Sequence, residues 1–268
     1  MTFPVRPRRL PLSVDGGEIG VWAQEDGGLP ILFLHGWSLD HRIWGPQFDD
    51  DALARHRLIA IDRRGFGSAT APPGLDREVA DAVALLDHLA VRRAIVVGQS
   101  QAGRVALRLA LDHADRVAGL VLVGSPVAGF HPLPKPGEDV PVDDYRRLVA
   151  AGRLDEMKRL WAGHPMLAAR RGDAALTEAI LRSYDGRDLL APPPPPGPDI
   201  AGLGAIAVPS LVVTGDGDTA WRRLVGDAIA YALARGERAG IPAAGHLCNR
   251  DAPAAFNRLL ARFAAVLD

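Results

Sequence analysis

Short apolar runs alternate with longer amphipathic stretches along most of this chain. Residues 10–14 and 19–22 flank Asp15-Gly16-Gly17 and alternate apolar with polar side chains, which predicts a hairpin. Residues 30–34 and 58–61 are near-continuous apolar runs and read as buried strands, with a helical segment over 44–54 between them. Over 76–90, Val79, Val83, Leu86 and Leu89 fall on one side of a helix. A β-branched run, 94–97, precedes a helix that starts at Ala102, and 117–123 is the next strand. Near the end come a strand at 210–213, a helix at 221–235, a strand at 237–241 and a helix at 253–266. Buried strands alternating with helices imply an α/β fold: a mostly parallel central sheet with helices on both faces.

That rhythm stops at Ser125-Pro126. No strong strand follows until about residue 207, while 143–162 and 173–184 read as helices. A proline run at 192–196 leads back; it favours a stiff extended chain and cannot supply ladder hydrogen bonds. So long an interruption in one α/β domain needs a reason. The expectation is a core of residues 1–124 and 208–268, with a helical cap at 125–207.

Ligands of open α/β sheets bind beyond the carboxyl ends of the strands. Four features lie there. Gly98-Gln99-Ser100-Gln101-Ala102 turns from a strand into a helix, with small residues two places either side of the serine. A tight turn of this kind exposes the serine hydroxyl near the following helix N-terminus. Asp218 follows the 210–213 strand, His246 follows the last strand, and His35-Gly36-Trp37 ends an early one.

In these motifs the chain resembles the α/β-hydrolase fold family over essentially its whole length. The residues that carry the resemblance are His35-Gly36, Asp62-x-Arg64-Gly65-x-Gly67, Gly98-x-Ser100, Gly215-x-x-Asp218 and Gly245-His246, in that order. The resemblance implies a catalytic triad: Ser100 as nucleophile, His246 as base and Asp218 as the acid that orients it. The family spacing favours Asp218 over Asp216, which then reads as a turn residue. It further implies an oxyanion hole made by the backbone N–H groups of Trp37 and Gln101, with His35 bracing that loop.

The expected pocket takes His35, Gly36, Leu39 and Leu247 from the core, beside Trp37 and Gln101, and Phe130, Trp161, Met166, Leu167 and Tyr184 from the cap. Trp161 and Tyr184 equally suit packing the cap helices together. The cap is similar in kind to those of 3-oxoadipate enol-lactonases and small carboxylesterases. Gln101 departs from the methionine common there and brings a polar side chain to the elbow. Arg63, Arg64 and Arg104 are candidates for a substrate carboxylate.

Composition narrows the function further. A formal net charge of −1 gives no case for nucleic acid or an anionic membrane as partner. The single cysteine, Cys248, excludes an internal disulfide and reads as a packing residue. No histidine pair shows metal-ligand spacing, so neither metal nor cofactor is expected. The other histidines read as surface or cap residues. No secretory signal and no membrane-spanning run is visible, so the cytoplasm is the expected location. The expected partner is a small-molecule substrate, and a homo-oligomer is compatible with the chain. A serine nucleophile argues against dehalogenase and epoxide-hydrolase chemistry, which needs a carboxylate. The main expectation is hydrolysis of a small carboxylic ester or lactone. The same triad also serves C–C bond hydrolases, thioesterases and cofactor-free perhydrolases. A ligand-binding receptor with a retained triad is the alternative outside enzymology.

Overall fold

In the computed structural model, which describes residues 7–133, 137–168 and 174–267, one 8-stranded sheet runs in the order β1-β2-β4-β3-β5-β6-β7-β8. The strands are β1 Arg8–Val14, β2 Gly17–Ala23, β3 Gly28–Leu34, β4 His56–Asp62, β5 Ala94–Gln99, β6 Val117–Val123, β7 Ser210–Gly215 and β8 Gly236–Ile241. The helices are α1 Gly45–Phe48, α2 Glu78–His88, α3 Gly103–Asp112, α4 Val142–Ala150, α5 Leu154–Ala162, α6 Ala174–Ser183, α7 Arg187–Leu190, α8 Ala220–Ala232, α9 Cys248–Asp251 and α10 Pro253–Ala265. Only β1–β2 and β2–β4 pair antiparallel; the other pairings are parallel.

Every residue of β5 and β6 is buried. The period of two then sends successive side chains to opposite faces. Ile31, Phe33, Ile95, Val97, Val121 and Val213 pack on one face with Phe256 and Leu260 of α10. Leu32, Leu34, Val96, Leu120, Leu122 and Val212 pack on the other with Leu85 of α2, Val105 of α3 and Ile229 of α8. Each such side chain, fully buried, is worth about 1.5–3 kcal/mol. The register aligns the carboxyl ends: Gly98 pairs with Leu34, Gln99 with Val123, Val123 with Val213, and Gly215 with Ile241. The loops that follow these strands therefore emerge side by side.

Several elements differ from the sequence expectation. The segment at 44–54 is not one helix. It is a 3-10 turn, His41–Trp44, then the four-residue α1 and a second 3-10 turn, Asp51–Leu53. Pro46 lies at the start of α1, and the Asp50 carboxylate caps the next turn through the Ala52 N–H, so neither piece propagates. The helix expected over 143–162 is two, α4 and α5, broken where Gly152 takes φ +73°. Residue 173, the expected start of α6, lies outside the described residues. Helix α7 and the 3-10 turn Ile200–Ala205 were not anticipated. His56 is buried at the start of β4, with Nδ1 hydrogen-bonded to the Leu29 carbonyl, and so is not a surface histidine.

A polar network locks the loop after β3 to the loop after β4. The His35 ring is fully buried; its Nδ1 lies 2.8 Å from the Gly36 carbonyl and its Nε2 lies 3.0 Å from the Arg63 backbone N–H. This pattern needs the neutral ring with hydrogen on Nδ1. The Arg63 guanidinium donates to both Glu78 carboxylate oxygens, at 2.6 and 3.0 Å, and to the His35 carbonyl at 2.6 Å. Arg64 grips Asp81 in the same bidentate way, at 2.6 and 2.7 Å. Asp62 accepts from the backbone and ring of His41 and from the Ser68 N–H. Against burial, which raises it, His41 holds the Asp62 carboxyl down at about 2.

Burial, helped by the neighbouring Arg63 charge, lowers the His35 pKa from 6.5 to about 4. Between those values the unfolded chain binds a proton that the native ring refuses. Stability is therefore present above the unfolded value and is lost as pH falls toward the folded one. Across that window the loss is expected to reach about 3 kcal/mol, read as a falling urea midpoint. His35→Gln should flatten that part of the profile.

Candidate active site

Ser100 takes φ +50° between β5 and α3. A β-carbon at Gly98 would come within 2.8 Å of both the Ala102 carbonyl and the Ala106 methyl, so only glycine fits there. Ala102, where a second glycine is usual, has φ −67° and is completely buried. An alanine meets that demand without strain. Gly103 is small for a different reason: a β-carbon there would strike Ser125. The Ser125 hydroxyl in turn donates to the Gly98 carbonyl at 3.1 Å.

Asp218 and His246 leave β7 and β8 and meet. His246 Nδ1 lies 2.9 Å from Asp218 Oδ2, with both side chains buried. Asp218 Oδ1 accepts from the Thr219 N–H at 2.7 Å. The carboxylate can only accept, so Nδ1 carries the hydrogen and Nε2 keeps its lone pair. Nε2 is buried with no hydrogen-bond partner among the described residues. Asp216 is exposed and makes no bond to the imidazole.

The loop after β6 supplies Gly124. It has φ +57°, and a β-carbon there would lie 2.7 Å from His246 Cε1 and 2.8 Å from Nδ1. The glycine is thus the floor against which the imidazole rests. Only its place at a strand end beside Val123 hinted at this.

The His35-Gly36 loop abuts the elbow: a β-carbon on Gly36 would lie 3.2 Å from Ser100 Cβ. The next two residues are tied to the helices between β6 and β7. The Trp37 indole donates to Asp188 Oδ2 at 2.7 Å, and the Trp161 indole donates to the Ser38 hydroxyl at 2.7 Å. The Tyr184 hydroxyl donates to Asp188 Oδ1 at 2.6 Å. Burial pushes the Asp188 carboxyl and the Tyr184 phenol up. The ring of Trp37 lies 4.8 Å from that of Trp161 and 6.1 Å from that of Tyr184.

A cavity of about 880 Å³ opens over Ser100 and His246. Trp37, Leu39, Gln101, Phe130, Trp161, Met166, Leu167 and Leu247 line it. His35, Gly36 and Tyr184 do not. His35 is sealed beneath the loop, Gly36 presses on Gln99 and Ser100, and Tyr184 stands behind Trp37. Prolines 192–195, Asp188 and Arg222 also form the wall, none of them expected from the sequence. The Gln101 side chain is held: its Oε1 accepts from Arg63 at 2.7 Å. Arg63 and Arg64 are occupied by Glu78 and Asp81; Arg64 nonetheless lines the cavity, while Arg63 does not. Arg104 lines the cavity. Cys248 is completely buried, which pushes its thiol up.

Among the described residues, one group has metal-ligand proximity: Asp40, His41 and Asp62. Its carboxylates already accept from Arg42, His41 and Ser68, and none of the three lines the cavity.

A family model described as the alpha/beta hydrolase fold matches residues 30–251. The chain is 31% identical over 220 residues to the non-heme haloperoxidase of Rhodococcus erythropolis, covering 76% of this chain and 80% of that one. Among solved structures it is similar to an N-acyl homoserine lactone degrading enzyme, with 26% identity and a TM-score of 0.75 over 95% of this chain and 100% of that one. It also superposes on the enol-lactonase of Burkholderia xenovorans, with a TM-score of 0.78, 20% identity, and coverage of 96% of this chain and 100% of that one. No helix among the described residues is long and apolar enough to cross a membrane. With the sheet order, the strand-end loops and the family match in agreement, the chain belongs to the alpha/beta hydrolase fold family of enzymes.

Proposed function

We propose that this protein is a serine hydrolase that cleaves a small carboxylic ester or lactone through an acyl-enzyme on Ser100. One observation carries the reading. His246 is oriented by Asp218 at 2.9 Å with its Nε2 lone pair unpaired, in the same cavity as a serine held at φ +50°. A serine hydroxyl is a poor nucleophile at neutral pH and needs such a base.

The steps follow from that geometry. Ser100 Oγ attacks the carbonyl carbon while His246 Nε2 takes the hydroxyl proton. Asp218 stabilises the resulting imidazolium. The carbonyl oxygen becomes an oxyanion, met by the backbone N–H groups of Gln101 and Trp37. Collapse breaks the bond to the leaving oxygen, which receives the proton from His246. For a lactone that oxygen stays attached to the acyl group. Water, deprotonated by His246, then attacks the acyl-enzyme and frees Ser100. Residues 125–207 act as the cap, with Trp161 and Asp188 anchoring it to the oxyanion loop.

A second reading rests on the relatives. The non-heme haloperoxidase likeness supports hydrogen peroxide replacing water at the acyl-enzyme, giving a peracid from the same triad. A screen of short p-nitrophenyl esters and lactones, with and without peroxide, separates the two. Absence of multiple turnover on every ester and lactone would leave a receptor instead.

Ser100→Ala should lower kcat on any turned-over ester by roughly a million-fold, with an unchanged urea midpoint. Wild-type activity in that variant would remove Ser100 from the mechanism. Gly124→Ala is expected to tilt the imidazole and strain the backbone. Its kcat should fall about a hundredfold and its unfolding free energy by about 1–3 kcal/mol, measured by steady-state kinetics and denaturant titration.

A further inference from the structure

Two guanidinium groups that line the cavity have no counter-charge in contact among the described residues. Arg104 follows Ser100 by four residues in the first turn of α3, and Arg222 follows Asp218 by four in the first turn of α8. Both line the cavity that holds Ser100 and His246. Arg222 is only 7% exposed. Its Nε and Nη1, and the Nε of Arg104, are buried without a hydrogen-bond partner, and neither residue forms an ion pair among the described residues. Arg222 is positioned by packing, with its guanidinium 3.9 Å over the Trp221 ring. The Arg104 stem runs beneath Gly197, where a β-carbon would lie 3.0 Å from its Cγ.

The contrast with Arg63 and Arg64 is informative. Those two are more deeply buried than Arg222 or the half-buried Arg104, and each is gripped by a carboxylate in bidentate geometry. Burying a cation without a partner is costly. Burial pushes Arg222 down to about 10, and the nearby Arg104 charge adds to that, while Asp218 and Asp139 oppose it. Asp218 is committed to His246 and the Thr219 N–H. The donors left over for a ligand are the remaining guanidinium nitrogens, Arg104 Nη1 and Nη2 and Arg222 Nη2, which make no hydrogen bond among the described residues while both side chains line the cavity.

We propose that the cavity recognises a substrate carrying a carboxylate in addition to its scissile ester or lactone, with Arg104 and Arg222 donating to that carboxylate. This rests on the hydrolase reading and narrows its substrate class to anionic half-esters or carboxylated lactones. A planar fork of N–H donors matches a carboxylate in two bonds. Leu39, Phe130, Met166 and Leu167 provide an apolar wall for the hydrocarbon between the two ends.

Monomethyl glutarate and dimethyl glutarate test it, since they differ only in one carboxylate. Binding is read by calorimetry on Ser100→Ala, where no turnover interferes, and hydrolysis is read by pH-stat on the wild type. The half-ester should bind at least about tenfold more tightly than the diester. Arg104→Gln and Arg222→Gln, each added to Ser100→Ala, should each remove most of that difference, and Arg222→Lys should keep part of it. In the active enzyme the half-ester to diester ratio of kcat/KM should fall in the same variants. Equal or tighter diester binding overturns the proposal. So does a proportional loss for both esters, or inorganic phosphate binding as tightly as the half-ester, which marks a general anion site. Half-ester preference in binding without turnover of either ester upholds the carboxylate site and defeats the hydrolase reading. Turnover of both esters without preference does the reverse.

Discussion

Everything at this site depends on a single backbone constraint, the left-handed turn at Ser100. A serine at φ +50° holds only where its surroundings leave the chain no other path. Gly98 allows the helix to fold back onto β5, Ala102 fills the space without excess, and Ser125 closes the turn from the neighbouring strand. The parallel register then matters as much as the turn. Because β5 and β6 end level, and β7 and β8 end level two residues further along, Ser100, Gly124, Asp218 and His246 emerge as neighbours. A register slip would turn every side chain to the opposite face.

The loop after β3 receives two kinds of support. From below, His35 and Arg63 fasten it to β4 and α2 through fully buried hydrogen bonds. From above, Trp37 and Trp161 exchange indole hydrogen bonds with Asp188 and Ser38. The helices between β6 and β7 thus share contacts with the loop beside Ser100, and a shift of α5 or α7 is felt there. The proline run at 192–195 stiffens the cavity wall where those helices return to the sheet.

Charge is treated in two ways inside this molecule. Arg63 and Arg64 each have a carboxylate within hydrogen-bond reach, Glu78 and Asp81. Arg104 and Arg222, which line the cavity, have no carboxylate within that reach among the described residues.

Sequence alone determined the alternation of strands and helices, because burial on two faces writes itself into continuous apolar runs. It also carried the elbow and the order of Ser100, Asp218 and His246, since glycines and strand ends leave local marks. The two helices in place of one over 143–162, and the broken segment at 44–54, depended on Gly152 and Pro46, which local periodicity underweighted. The partners of the arginines were beyond reach. Nothing in the spacing distinguishes Arg63, which finds Glu78, from Arg104, which finds no carboxylate among the described residues. Nor does it show that Gln101 is tethered, that Asp188 holds Trp37, or that Gly124 supports the imidazole. Those facts are contacts between segments distant in the chain, and only the packing of the sheet and the helices between β6 and β7 decides them.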